Sequence, residues 1–339
     1  MIQRLLFLTF VIPLFSLLVD SADARDIVSG NAVSQLGATP PAPPEGFATA
    51  ADVVAALKSG QVQRAKSDIA LPETIEELKD IEYGNVQGRS LKLDVYRPKT
   101  MTQSAPAIIF VHGGSWRAGK KENYRRYCIR YAQQGYVTVT ISYRLTQEAP
   151  YPAAVNDTKC AVRWVRANAE NYNVDPDNIV IMGGSAGGHL AMMAAYSSDI
   201  PALEGDGGHA GVSSRVQAVV NLYGPTDLTV PFAHDKRVVI NFLGKKQYQD
   251  APDLWAEASP ISYVTADDPP TLILHGTIDT IVPIDQADRL ATKLAGLKIP
   301  YIYDRLPGWT HSMDSAQPVT ERCFWFIDRF LKSYAPIPE

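Results

Sequence analysis

Cysteine is almost missing from this chain: 339 residues carry three, Cys128, Cys160 and Cys323, far apart from one another. That number and spacing exclude a disulfide-stapled scaffold and a cysteine-based zinc site. Each lies in a helix-like stretch beside apolar residues and reads as a small buried hydrophobe, with one bridge plus a free thiol as the alternative. Basic runs are missing too. Lys and Arg total 32 against 36 Asp and Glu, a formal net charge of -4. The cationic field that draws proteins to nucleic acid is therefore absent, and no nucleic-acid partner is expected. No metal-ligand cluster stands out, so no metal or organic cofactor is expected.

An apolar run as long as a membrane span is also wanting. Arg4 is followed by Leu5 to Val19, fifteen residues that include Pro13, whereas a bilayer-spanning helix takes about 20. With Ala22-Asp23-Ala24 behind it, the run reads as a secretory signal peptide over residues 1–24, cleaved near Ala24. The expectation is a secreted or periplasmic protein with no stable membrane span after cleavage; the alternative is a retained N-terminal anchor. The proline-rich Ala38 to Gly46 then reads as an extended spacer. Ala50 to Asp80 leans towards helix, so residues 25–80 form a spacer followed by either a cap over a site or an N-terminal extension.

What is present is a core. Hydrophobic residues make up 46% and charged ones 20%, the balance of a soluble enzyme. From Ile81 a regular pattern begins. Leu91, Leu93 and Val95 alternate with Lys92, Asp94 and Tyr96, the period of a half-exposed strand. Short apolar or β-branched runs follow at Ala107 to Val111, Tyr136 to Ser142, Ile179 to Met182, Val216 to Leu222 and Thr271 to Leu274, as in strands buried on both faces. Helical stretches separate them, notably Ala153 to Tyr172 and His189 to Ser197. A last helix over Val319 to Tyr334 sets Cys323, Phe326, Ile327, Phe330 and Leu331 on one face. The fold class is α/β: one catalytic domain over residues 81–339 with a mostly parallel, doubly wound sheet, helices on both faces and a small cap or lid. Sites in such sheets lie beyond the carboxyl ends of the strands.

Immediately after the Ile179 to Met182 strand stands Gly183-Gly184-Ser185-Ala186-Gly187. A G-x-S-x-G pentapeptide between strand and helix is the context of a nucleophile elbow, in which a serine is held on a tight turn. Gly183 and Gly187 lack a Cβ and relieve the crowding there. The alternative is a glycine-rich corner without chemistry. A serine hydroxyl needs a base, and the base an orienting carboxylate, in the chain order Ser, acid, His. His311, in the loop between the strand-like Tyr301 to Leu306 and the last helix, is the expected base, ahead of His209, His234 and His275. Asp279, just after the Thr271 to Leu274 strand, is the expected acid, ahead of Asp304 and Asp314. Gly113 and Gly114, after the Ala107 to Val111 strand, together with the backbone N–H of Ala186, are the expected oxyanion donors. His112 is expected to hold that loop through its ring nitrogens.

These pieces, with "HGGSW", "YRL", "YPAAVNDTKCAVRWVRANAENYNVDPDNIVIMGGSAGGHLA", "YGPTDL" and "HGTIDTIVP", resemble the α/β-hydrolases of the esterase/lipase superfamily. The nearest branch is the BD-FAE-like one of acetylxylan and feruloyl esterases. The resemblance covers Ile81 to Lys332. It departs from the hormone-sensitive-lipase branch at Gly184, where those proteins usually carry an acid, and at Trp309 and Thr310, where relatives often carry a small residue before the histidine. The resemblance implies a serine carboxylesterase working through an acyl-enzyme on short-chain acyl esters, such as acetyl or hydroxycinnamoyl groups on a small molecule or polysaccharide. The alternatives are an amidase or peptidase of the same fold and an inactive hydrolase-fold binding protein. Trp116, Tyr223 and Trp309 are expected to line the substrate pocket, and Pro225 to Val264 to form a lid.

Overall fold

The structure is a computed structural model that describes residues 28–29 and 36–338. The expected signal peptide, residues 1–24, lies outside the described residues. Among the described residues nine strands form one sheet: β1 (Val28–Ser29), β2 (Ile75–Val86), β3 (Arg89–Pro98), β4 (Ala105–Val111), β5 (Val137–Ile141), β6 (Val174–Gly184), β7 (Ala218–Leu222), β8 (Thr271–Gly276) and β9 (Tyr301–Leu306). Their order across the sheet is β1-β9-β8-β7-β6-β4-β5-β3-β2. From β5 to β9 the neighbours run parallel, and β2, β3 and β1 pair antiparallel at the two margins.

The central parallel strands are largely apolar because both faces are covered. Every residue of β4, β5, β7 and β8 is buried. On one face lie α3 (Ala153–Ala167), α5 (Ala186–Tyr196) and α9 (Asp285–Gly296), which contribute Val162, Leu190 and Leu290 to a single core. The other face is covered by α1 (Ala50–Ser59), α2 (Arg125–Gln133) and α10 (Gln317–Tyr334), through Val53, Tyr127 and Phe326. The expected face of the last helix is buried as a unit. All three cysteines are buried and free, and burial pushes each thiol up from its ordinary value.

Three expectations differ from the structure. The segment Ala50 to Asp80 is helical only over α1, ended by Gly60 in a left-handed conformation, and from Ile75 it is already β2. That strand pairs only on one side and carries many charges, so its pattern imitates a polar helix. In β3, Asp94 and Tyr96 are buried rather than half-exposed, because α2 and the turn before it cover that face. Asp94 accepts a hydrogen bond from the Lys121 ammonium at 3.0 Å and from the Asp80 amide at 2.8 Å. The stretch Ala153 to Tyr172 breaks at Asn168 into α3 and α4 (Ala169–Tyr172).

The chain passes from β4 outward to β5 and returns to the other side of β4 as β6. The crevice of an open α/β sheet forms at such a switch point, beyond the carboxyl ends of its strands. Both glycine motifs emerge there, Gly113-Gly114 from β4 and Ser185 from β6.

Candidate active site

Ser185 joins β6 to α5 with φ 57° and ψ −126°. A non-glycine residue rarely adopts positive φ, and such strain, of order 1–3 kcal/mol, persists only where surrounding structure enforces it. The enforcement is visible in the neighbours: a Cβ on Gly183 would stand 2.2 Å from the Gly187 carbonyl oxygen, and one on Gly187 would stand 2.0 Å from that of Val111. Side chains at either position would force the turn open. The Ser185 hydroxyl caps no backbone amide of α5 and is free for other bonds.

His311 lies 2.8 Å from it, Nε2 to Oγ, and the His311 Nδ1–H donates to Asp279 Oδ2 at 2.6 Å. The other oxygen of Asp279 accepts the backbone amides of Ile281 and Val282 at 2.8 and 2.9 Å. Burial alone would raise the Asp279 pKa, but hydrogen bonds from His275 and His311 outweigh it and hold the carboxyl well below the ordinary range. An ionised carboxylate fixes one imidazole tautomer, leaving Nε2 as the acceptor that faces the hydroxyl. The loops that carry the two partners are tied together, since the Ile278 amide donates to the Trp309 carbonyl at 3.1 Å.

Two other acids weighed in the sequence stand elsewhere. Asp304 forms a buried pair with Arg322 at 2.8 Å. Asp314 borders the cleft, accepting from the Tyr223 hydroxyl at 2.5 Å and the Tyr127 hydroxyl at 2.7 Å. Sequence reasoning missed His275 as a neighbour of the acid: its Nε2 donates to the Val282 carbonyl at 2.9 Å and lies 3.3 Å from Asp279 Oδ2. The signal was its place four residues before Asp279.

Gly113 and Gly114 border the same cleft as Ser185. Gly114, Ser115 and Trp116 all have positive φ, at 121°, 54° and 56°, so the loop after β4 is wound backwards over the turn. At Gly114 a Cβ would strike the Ala118 carbonyl at 2.1 Å. Ala186 is the first residue of α5, where backbone N–H groups have no acceptor within the helix. His112 donates from Nδ1 to the Gly113 carbonyl at 2.8 Å and stacks on Tyr143 at 4.3 Å. Burial lowers its pKa, and it holds the loop rather than facing the cleft.

Of the three aromatic residues expected in the pocket, Tyr223 borders the cleft with its ring 4.9 Å from that of His311. Trp116 borders a second, smaller cavity beside Ser185; it stacks on Phe242 at 4.5 Å and donates to His189 Nδ1 at 3.2 Å. Burial pushes the His189 pKa down to about 4, so a neutral ring accepts that bond. Trp309 corrects the expectation. It meets Phe47 edge-on at 5.5 Å and donates to the Pro44 carbonyl at 3.3 Å. Its backbone belongs to the His311 loop, but its ring is clamped under the N-terminal segment and lines neither space beside Ser185.

That segment is a brace and not a cover over Ser185. Residues 63–65 form a backbone bridge to 315–317, and Arg322 bonds the Pro41 carbonyl, so the extension packs behind the loop that carries His311. Between β7 and β8, α6 (Pro231–His234), α7 (Arg237–Phe242) and α8 (Pro252–Glu257) fill the stretch expected as a lid. Phe232, Val238 and Val239 from it wall the smaller cavity.

Two spaces therefore meet at Ser185. The larger, about 500 Å³, is bordered by Tyr124, Arg126, Tyr127, Tyr223, His311 and Asp314. The smaller, about 50 Å³, is bordered by Trp116, Phe232, Val238, Val239 and Val282. Among the described residues, no group of three or more His, Cys, Asp or Glu is placed to hold a metal ion, and no helix is long and apolar enough to cross a membrane.

The pattern that defines the BD-FAE family matches residues 93–294, more than half of the chain. The chain belongs to the BD-FAE family. It is 37% identical over 250 residues to esterase LipQ of Mycobacterium tuberculosis, an alignment covering 72% of this chain and 59% of LipQ. Esterase LipC of the same organism is 34% identical over 66% of this chain and 57% of its own. The chain thus spans less than two thirds of these curated relatives. Among solved structures, a truncated carbohydrate esterase from gut microbiota superposes with a TM-score of 0.64 at 27% identity, covering 79% of this chain and 99% of that one. Esterase Est2 of Thermogutta terrifontis gives 0.67 at 26% identity, covering 82% and 98%, and has also been solved with propionate and with butyrate bound. This BD-FAE protein has the α/β-hydrolase fold, a mostly parallel open sheet with helices on both faces.

Proposed function

We propose that this protein is a serine carboxylesterase that removes short acyl groups, acetyl foremost, from polar carbohydrate-like alcohols. The observation that carries the reading is the unequal pair of spaces at Ser185. A leaving alkoxide must receive its proton from His311, and His311 borders only the larger, polar space. The alcohol therefore occupies that side, and the acyl group turns into the small apolar one. A space of about 50 Å³ takes an acetyl or propionyl chain and excludes a hydroxycinnamoyl ring. The similar proteins, an esterase and a carbohydrate esterase among them, point the same way.

In the first half of the reaction, Ser185 Oγ bonds to the ester carbonyl carbon as its proton passes to His311 Nε2. The oxyanion is held by the amides of Gly113, Gly114 and Ala186, each donor worth about 3 kcal/mol. The C–O bond to the alcohol breaks and His311 returns the proton to it. Water then attacks the acyl-enzyme, giving its proton to His311, and Ser185 Oγ leaves with a proton regained. Asp279 holds the imidazole throughout. The N-terminal pattern of residues 1–24 supports export as the cellular setting of this activity.

A panel of p-nitrophenyl acyl esters, acetylated xylan and methyl ferulate tests the reading, with p-nitroacetanilide as the amide control. Acetate and propionate are expected to be the preferred acyl groups, and Ser185→Ala to lower kcat by about 10⁶-fold. Faster cleavage of methyl ferulate than of acetyl esters would overturn the acyl assignment, and faster cleavage of the anilide the ester one.

A further inference from the structure

Beside the alcohol space lies a third cavity, and Arg126 is the wall that they share. It has a volume of about 540 Å³ and lies between the residues after α1, the outer face of α2 and the start of α10. Four cations border it, Arg64, Lys66, Arg126 and Arg130, and no carboxylate does. Asp314 neutralises Arg126 at 3.3 Å and Asp328 neutralises Arg130 at 2.6 Å. Arg64 and Lys66 have no ion pair among the described residues and are exposed. The remaining lining mixes three amides, Gln63, Gln133 and Gln317, with Ile69, Ile129, Phe324 and Thr320, the Thr320 hydroxyl being bonded to the Asp314 and Ala316 carbonyls.

In a protein of net charge -4, a cationic recess that adjoins the leaving-group side across Arg126 is a local departure from the average surface. Each of the two cavities falls in the roughly 300–1,000 Å³ range of ligand sites, so a ligand that fills both extends well past the hydrolysed ester. Amide side chains beside cations that have no ion pair among the described residues match a sugar chain that carries carboxylates, and Ile69, Ile129 and Phe324 between them offer surface for the apolar face of a sugar ring.

We infer that this cavity is a binding subsite for the acidic, uronate-bearing part of an oligosaccharide whose acylated hydroxyl lies at Ser185. The inference rests on the esterase reading for its orientation, with the alcohol on the Arg126 side. Carboxylates meet Arg64 and Lys66 at the outer end, and the guanidinium of Arg126, held by Asp314 and stacked over Tyr127 at 4.9 Å, marks the passage between the two spaces.

The experiment uses the full chain with Ser185→Ala, so that binding is read without turnover. Titration calorimetry compares trigalacturonate with xylotriose, at low and high salt, with and without Arg64→Gln plus Lys66→Gln. The acidic trisaccharide is expected to bind more tightly than the neutral one. The double substitution should weaken it by about fivefold, as loss of two exposed charge contacts would, and added salt should do the same. In the otherwise native protein the double substitution should leave kcat/KM for p-nitrophenyl acetate unchanged, because neither residue borders Ser185, while raising KM for acetylated oligogalacturonate. Equal binding of the two sugars, or indifference to the double substitution, overturns the inference. So does a site saturated equally well by inorganic phosphate, or cosedimentation with anionic phospholipid vesicles that depends on Arg64 and Lys66. If trigalacturonate binds as described but no ester is cleaved, the esterase reading fails and the subsite stands.

Discussion

On one side of Ser185, rings and β-branched side chains close a space of about 50 Å³; on the other, phenols, Arg126 and Asp314 border about 500 Å³. The two share the loop after β4, Ser185 and Ile281 and differ in the rest of their walls. The small space is built by the loop after β4 and the insertion between β7 and β8, anchored by Trp116 on Phe242 and His189. The large one is built by the start of α2 and the residues around His311. Apolar walls discriminate by volume, at about 1–3 kcal/mol per methylene, whereas a polar wall rejects an analogue that leaves its groups unpaired. On the proposed function, acyl length is expected to be set by the insertion, and alcohol identity by α2 and the His311 loop.

The largest expected effect falls on both sides at once. Asp279→Asn removes the carboxylate that fixes His311, and by analogy with serine-protease triads kcat should fall by about 10⁴-fold for every ester. The same substitution has a stability signature. The Asp279 carboxyl is held below its ordinary value, so its contribution is full above about pH 4 and is lost as pH falls below it. The stability difference between the two proteins, read by urea unfolding, should be larger at pH 7 than at pH 3. A loss confined to acetyl esters would break the view that the triad serves both spaces equally.

A smaller, one-sided effect is expected from Phe232→Ala. Phe232 is half-buried at the small space, and its removal should raise kcat/KM for hexanoate relative to acetate by about tenfold. Alcohol preference should not change. If the acyl ratio stays fixed while alcohol preference moves, the assignment of the two sides is reversed.

The two regions were also unequally legible in sequence. The turn at Ser185, the Gly113-Gly114 loop and Asp279 each follow a short apolar strand directly, so local pattern placed them. Their glycines are required because a Cβ at Gly114, Gly183 or Gly187 would stand 2.0 to 2.2 Å from a backbone carbonyl oxygen. The alcohol side is assembled from Tyr124 in the turn before α2, Arg126 and Tyr127 on α2, and Asp314 from the far end of the chain. None follows a strand end, and an arginine and tyrosines on a helix read as an ordinary amphipathic face. Trp309 was misassigned for a related reason. Two residues from His311 in sequence, it is turned away by the loop's backbone, and its partner Phe47 lies in an extension whose packing no local pattern reveals. The first residues of β2, Ile75 to Asp80, lean to helix in sequence because a charged margin strand has no buried second face to enforce alternation.

The smallest expected effect tests the polar side alone. Tyr223→Phe keeps the ring beside His311 and deletes the hydroxyl that donates to Asp314 at 2.5 Å. Asp314 keeps its bonds from Tyr127 and Arg126, so the carboxylate is not stranded, and the loss should be near 1–2 kcal/mol of stability. Without that bond Asp314 is freer to pull Arg126 out of the passage between the alcohol space and the cationic recess. KM for acetylated xylan should rise a few-fold, about what a single hydrogen bond of 0.5–1.5 kcal/mol gives. Hydrolysis of p-nitrophenyl acetate, whose leaving group is small and needs no proton from a precisely held sugar, should scarcely change. Rescue of the xylan KM by further Asp314→Asn would trace the effect to the freed charge; equal losses on both substrates would instead place Tyr223 with the triad, acting through the His311 ring.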